Sequence, residues 1–160
     1  MANPYTPPGS PVGDPPDSRR RSTLGAVVLG FLVDTVGTIL FQVIAAFAFG
    51  LALASSGVAP PDIAAAIDES LGFRLFSMIG GMGFTVLGAY VGARFANHAE
   101  YATAFAVGVA SLLFGEAMLL TIPNDLPLWQ RLLGDLLVIP AAVVGGHLRF
   151  VQKRAAAPPA

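Results

Sequence analysis

Polar side chains of several kinds stand inside long apolar runs or at their edges. Asp34, Gln42 and Glu116 lie within the runs, while Arg94, His98 and His147 lie beside their ends. A carboxylate surrounded by hydrocarbon has a narrow range of uses, because holding it there costs about 2.5 to 3.5 kcal/mol unless a proton, a cation or hydrogen bonds offset the charge. Asp34 and Glu116 are therefore candidates for binding or relaying cations. The histidines suggest less: there are two in the chain, neither has a second ligand at metal-binding spacing, and cysteine is absent. No nucleophile and base are paired, and no glycine-rich phosphate loop is present, so the sequence points away from an enzyme and implies neither cofactor nor metal. Basic nucleic-acid patches are also missing.

The elements that position these groups belong to a membrane protein. Of 160 residues, 54% are apolar and 12% charged, and the mean hydropathy is +0.68. Charges this sparse, gathered between long apolar runs, make lipid the natural solvent. The net charge of -1 carries little information about partners, since the placement of charge matters more than its sum. Residues 1–22 are rich in proline and poor in large apolar side chains, which predicts a disordered tail. A transmembrane domain follows over 23–152, and residues 153–160 form a short second tail.

Four spans are expected, at about 24–53, 75–96, 102–122 and 133–151, each near the roughly 20 residues that cross the hydrocarbon layer. Pro140 should kink the fourth. Between the first two, "APPDIAAAIDESLGFRL" places Ile63, Ala66, Ile67 and Leu71 at helical spacing with acids opposite, which predicts an amphipathic helix over about 61–72 on the outer surface. In "TIPNDLPLWQRLLGD", Trp129 fits an aromatic anchor at headgroup depth. The stretch "SRRRSTL" invites comparison with an export signal. The apolar run after it is far longer than the roughly 7 to 15 residues of a signal core, however, so it reads as an uncleaved first helix.

The basic residues set an orientation. Arg19, Arg20, Arg21, Arg94, Arg149, Lys153 and Arg154 fall on one side of the four spans, and Arg74 and Arg131 on the other. The positive-inside rule then places both termini in the cytoplasm, as an even number of spans allows.

Small residues supply the packing surfaces. At 100° per residue, Ser77, Gly81, Thr85, Gly88 and Gly92 share one face of the second span. Ala104, Gly108, Ser111 and Gly115 form a ridge on the third, and Ala141, Ala142, Gly145 and Gly146 one on the fourth. The first carries Gly30, Asp34, Thr38, Ala45, Ala48 and Ala52 on one side, interrupted by Phe41. Close backbone approach along such strips holds helices together where lipid supplies no hydrophobic drive, so the expected fold is an all-α, compact four-helix membrane bundle.

Within that bundle Asp34 lies near the midplane on the small-residue side, and is expected to point inward, protonated or hydrogen-bonded. Glu116 projects about 100° from its ridge, toward another subunit or the outer interface, with Gln42 as a polar neighbour at similar depth. Arg94 points away from the glycine strip and reads as a snorkelling anchor. His147 reads as an interfacial residue at the same cytoplasmic boundary.

The segments "LGAYVGARFA" and "AFAVGVASLLFG", with "GFLVDTVGT" earlier and "IPAAVVGGHLR" later, resemble a loose group of small uncharacterised four-span bacterial inner-membrane proteins. That group bears a "GGYVAARIA"-like signature at the end of its second helix, and the likeness covers about residues 24 to 150, departing at Ala89. It implies a multi-pass bacterial inner-membrane protein with no assigned activity. Two functions follow as expectations. The first is a structural, accessory or interaction role, with the lipid bilayer and a homo-oligomer or larger membrane protein as partners. The alternative is an oligomeric small transporter or proton-coupled channel that uses Asp34 and Glu116.

Overall fold

A computed structural model describes residues 22–121 and 127–156. The proline-rich tail with its three arginines, residues 122–126 and residues 157–160 lie outside the described residues. Those described are helical throughout their regular structure: α1 (Thr23–Ser55), a single 3-10 turn (Pro60–Asp62), α2 (Ile63–Glu69), α3 (Leu71–Ala96), α4 (Glu100–Thr121) and α5 (Leu128–Ala155). α1, α3, α4 and α5 are each long and apolar enough to cross a membrane.

Caps account for where the helices begin and end. Ser22 accepts the Gly25 amide at 3.3 Å and starts α1, and Ser70 accepts the Phe73 amide at 3.2 Å and starts α3. Because Ser70 caps α3, the expected outer helix over 61–72 stops at Glu69, and residues 71–74 lengthen the second span instead. Asn97 closes α3 in the left-handed region at φ 56°, where asparagine is tolerated, and its N–H reaches the Ala93 carbonyl. α5 runs from residue 128 to residue 155, longer than the fourth span read from sequence, and continues as helix through Pro140.

α3 is the central helix. It packs against α1, α4 and α5; α4 also touches α1 and α5, so α1 and α5 flank the α3–α4 pair. The start of α1, the α3–α4 turn and the end of α5 meet at one end, here the terminal end, where Thr23 bonds His98 and Lys153 bonds Asn97. The opposite, loop end holds α2 and the start of α5.

The interior contains less hydrocarbon than the exterior. Its fully buried side chains are Ala26, Ala89, Ala93, Ala104 and Ala142, with Val107 and Thr103 the largest. Leu24, Ile44, Phe47, Ile79, Leu120 and Leu136 are exposed instead, an arrangement that is stable where the surroundings are lipid.

Glycine is required where backbones meet. A Cβ on Gly88 would lie 2.5 Å from the Gly30 carbonyl oxygen and 2.8 Å from the Asp34 Cβ, and one on Gly30 would lie 2.7 Å from the Gly88 carbonyl oxygen. The same holds for Gly92 against the Ala26 carbonyl, Gly145 against α3 at Val86 and Tyr90, and Gly146 and Gly108 across the α4–α5 seam. Further along α1, aromatic rings fill the gaps that glycines leave: Phe84 lies on Gly37 and Phe41 on Gly80. Phe41, which interrupts the small face in sequence, is thus a contact residue of the α1–α3 seam.

This packing does not extend along the whole length. Apart from Ser77, every buried residue among those described lies in the terminal-end portion: 26–34 on α1, 85–96 on α3, 100–108 on α4 and 142–146 on α5. Toward the loop end, Gly115 is exposed and a Cβ there would meet nothing within 4 Å, so the small ridge of α4 makes contact only in its first half. Gly134 likewise meets nothing. Between α1 and α3 a groove of about 510 Å³ opens, lined by Phe41, Ala45, Ala48, Phe49, Phe73 and Phe76 among others. The expected compact bundle is therefore compact at the terminal end and open at the other, because large side chains on α1 and α3 hold their loop-end halves apart.

Two glycines test this packing. Gly88→Val pushes a side chain into the α1 backbone, which cannot rotate away, and should cost about 3 kcal/mol or more. Gly83→Val enters open space and should change stability by no more than about 0.5 kcal/mol. Unfolding midpoints in detergent measure both, and equal losses at the two positions would rule out backbone contact as the cause.

Candidate functional site

Asp34 is 4% exposed and occupies the crossing of three helices. Ser111 of α4 donates to its Oδ2 at 2.5 Å, Thr85 of α3 to its Oδ1 at 3.1 Å, and Thr38, one turn along α1, makes a longer bond to Oδ1 at 3.4 Å. The carboxyl accepts all three bonds. The Thr85 hydroxyl also lies 3.3 Å from the Gly81 carbonyl of its own helix. Gly88 makes the cluster geometrically feasible: any side chain there would strike the Asp34 Cβ and separate α1 from Thr85.

The polar line continues toward the loop end. Gln42, two turns beyond Asp34, donates through Nε2 to the Ser77 carbonyl at 3.2 Å. Asp34, Thr38 and Gln42 on α1 therefore run alongside Thr85, Gly81 and Ser77 on the antiparallel α3. The Ser77 hydroxyl is buried with no hydrogen-bond partner among the described residues. Toward the terminal end, α4 places Val107 between Gly30 and Gly92, and beyond it the hydroxyl of fully buried Thr103 is also without a partner.

Glu116 is elsewhere. It forms an ion pair with Arg131 of α5 near the loop end, and Asp135, one turn further along α5, interacts with both. Gln42 is thus engaged with α3 and is not the partner of Glu116. The intramembrane polar residues divide into two groups: Asp34 with hydroxyls in the packed part, and Glu116 with Arg131 in the open part.

The terminal end is held by a network. Lys153 donates to Glu100 Oε1 at 2.7 Å and to the Asn97 carbonyl at 3.0 Å, and Arg149 reaches the Asn97 side chain at 3.3 Å. The Tyr90 hydroxyl donates to Gln152 at 2.7 Å. His147 pairs through Nδ1 with the Tyr101 hydroxyl at 2.8 Å, linking α5 to α4. Arg94 is exposed, on the side of α3 away from α1, with no ion-pair partner among the described residues.

Of the residues singled out for packing, Ser77, Thr85, Gly88, Gly92, Gly108 and Gly145 are buried, Gly81 and Ser111 partly so, and Gly115 is exposed. Thr85 and Ser111 do more than offer small surfaces, since they bind the Asp34 carboxyl. Spacing alone shows that Thr38 lies one turn from Asp34; no local signal pairs Asp34 with residues 51 and 77 positions away. The pairing of Glu100 with Lys153 has no local signal either, the two being 53 residues apart at the two ends of the α4–α5 hairpin.

No protein-family model, curated protein or solved structure matches this chain.

The Glu100–Lys153 pair offers a direct test, because Glu100 is buried while Lys153 is half-exposed. Lys153→Met should cost about 1.5 to 3 kcal/mol by leaving a buried charged acceptor without its donor. Adding Glu100→Gln should recover at least half of that loss. A double-mutant cycle on thermal unfolding measures the coupling, and additive losses would show that the pair contributes nothing.

Proposed function

We propose that this chain is a non-catalytic membrane protein of structural or accessory type, which acts inside the bilayer by presenting helix faces to a homo-oligomeric or larger membrane-protein partner. The supporting observation is the half-open bundle. Gly115 and Gly134 meet nothing within 4 Å, and the aromatic groove beside α1 lies open, so strips suited to helix contact are left uncovered at the loop end. The surroundings proposed are a bacterial inner membrane with both termini in the cytoplasm. Arg94, Arg149, Lys153 and Arg154 gather at the terminal end, and Arg74 and Arg131 at the other, which supports that orientation.

A second reading, a small transporter or proton-coupled channel, is favoured by one observation: a buried carboxyl part-way along α1, ringed by hydroxyls. In it Asp34 and Glu116 handle the translocated cation.

Crosslinking with mass spectrometry on protein taken from its own membrane separates these readings. A stoichiometric larger partner is expected and favours the accessory reading, a homo-oligomer alone would favour the transport reading, and a monomer crosslinked only to itself would end the interaction reading. Single cysteines, placed in this cysteine-less chain at Ser22 and Ala155, should both resist an impermeant thiol reagent in intact cells. Labelling of either would overturn the orientation. Under the second reading, Asp34→Asn should abolish a cation-dependent flux in proteoliposomes, and an unchanged flux would eliminate it.

A further inference from the structure

We propose that the carboxyl of Asp34 and the hydroxyls of Thr38, Thr85 and Ser111 form a binding site for one small monovalent cation, sodium being the best fit, at the crossing of α1, α3 and α4. The site goes beyond the accessory role and does not depend on it: a bound ion could fix the bundle with or without being transported.

The donor set comes first. Both carboxyl oxygens and three hydroxyl oxygens, supplied by three helices, are gathered within hydrogen-bond distance of one another at one crossing. Side chains of this kind ligate hard cations, and none of the donors is the nitrogen or sulfur that a softer metal prefers.

Charge then selects the ion. No lysine or arginine side chain pairs with Asp34 among the described residues; Arg131 is held by Glu116, and Lys153 by Glu100. The site carries at most one negative charge. A monovalent cation leaves it neutral, whereas a divalent ion leaves a net positive charge in a medium of low dielectric, at a cost of several kcal/mol. The oxygens already lie 2.5 to 3.4 Å from their carboxyl partners, so a smaller ion such as sodium needs less expansion than potassium.

The hydroxyls can give up the carboxyl without losing a hydrogen bond. Thr85 already lies between two acceptors, Asp34 Oδ1 at 3.1 Å and the Gly81 carbonyl at 3.3 Å, so its hydrogen can turn to Gly81 while a lone pair faces the ion. Thr38 and Ser111 each have the carbonyl four residues earlier in their own helix as an alternative acceptor. The Ser77 hydroxyl, buried and unpartnered among the described residues, lies two turns further along α3 at the level of Gln42 and is not a ligand of this site. On the loop side of Ser111, Gly115 carries no side chain on the same face of α4, while on the terminal side Val107 packs against Gly30 and Gly92.

The test uses the intact chain in detergent. Its unfolding midpoint is titrated with sodium chloride against choline chloride at constant ionic strength, alongside equilibrium binding of radioactive sodium. A saturable rise with sodium is expected, with one ion per chain and potassium about tenfold weaker or worse. Thr85→Val and Ser111→Ala should each weaken sodium binding about tenfold, as loss of one charge-bound ligand implies, while Thr121→Val, at the exposed far end of α4, should leave it unchanged. Asp34→Asn should abolish it. Identical responses to sodium and choline would show that no sodium binds at Asp34, and the proposal would fail. It would fail equally if the two hydroxyl variants bound sodium as the parent does, a comparison that remains decisive if Asp34→Asn does not fold.

Discussion

At the crossing of α1 and α3, backbone touches backbone, and the rest of the molecule depends on that contact. Lipid is as apolar as leucine, so hydrophobic burial cannot press these helices together; dispersion and polar contacts must do so, and both fall away steeply with distance. Gly30, Gly88 and Gly92 remove the atoms that would hold the axes apart. Once the axes are close, the Asp34 carboxyl comes within reach of Thr85 and Ser111. A hydrogen-bonded cluster and a close-packed seam thus follow from the same missing side chains, and disturbing one disturbs the other.

Where that contact ends, the architecture changes. On α1 the small residues Ala26, Gly30 and Asp34 give way to a face on which Phe41 and Phe49 project, and on α3 Phe73 and Phe76 do the same. Rings meet at tilted angles with centroids 5.3 to 5.9 Å apart, where the glycine crossing has backbone against backbone. The half where glycine meets backbone is therefore close-packed, while the half where phenylalanines meet leaves a groove of about 510 Å³ beside α1.

The two ends also differ in how charge is handled. At the terminal end, Lys153, Arg149, Asn97 and Glu100 tie α5 to the α3–α4 turn, and Tyr101 with His147 joins α4 to α5. At the loop end, Arg131 and Glu116 link α4 to α5 beside the open space. α1 takes part in neither ion pair. Its attachment to α3 and α4 rests on the glycine crossing, the Asp34 cluster, Gln42, a few rings and the Thr23–His98 bond, so it is the helix whose position is most sensitive to what happens at Asp34.

The sequence by itself determined the spans, because hydrophobicity sustained over about 20 residues is a local property, readable without knowing any neighbour. It also marked Asp34 as out of place, since a lone carboxylate in an apolar run is conspicuous wherever the chain folds. Helix limits were less legible: Ser70 could be a residue inside one amphipathic helix or the cap of the next, and only the course of α3 decides. The partners of Asp34, the diversion of Gln42 to α3, the pairing of Glu116 with Arg131 and of Glu100 with Lys153 were decided by tertiary structure alone. Each joins residues on different helices, and periodicity fixes the face of a helix but not which neighbour that face meets. For the same reason, equal strips of small residues on α4 could not show in advance that Gly108 would touch α5 while Gly115 would touch nothing: the divergence of two axes is a property of the assembled bundle.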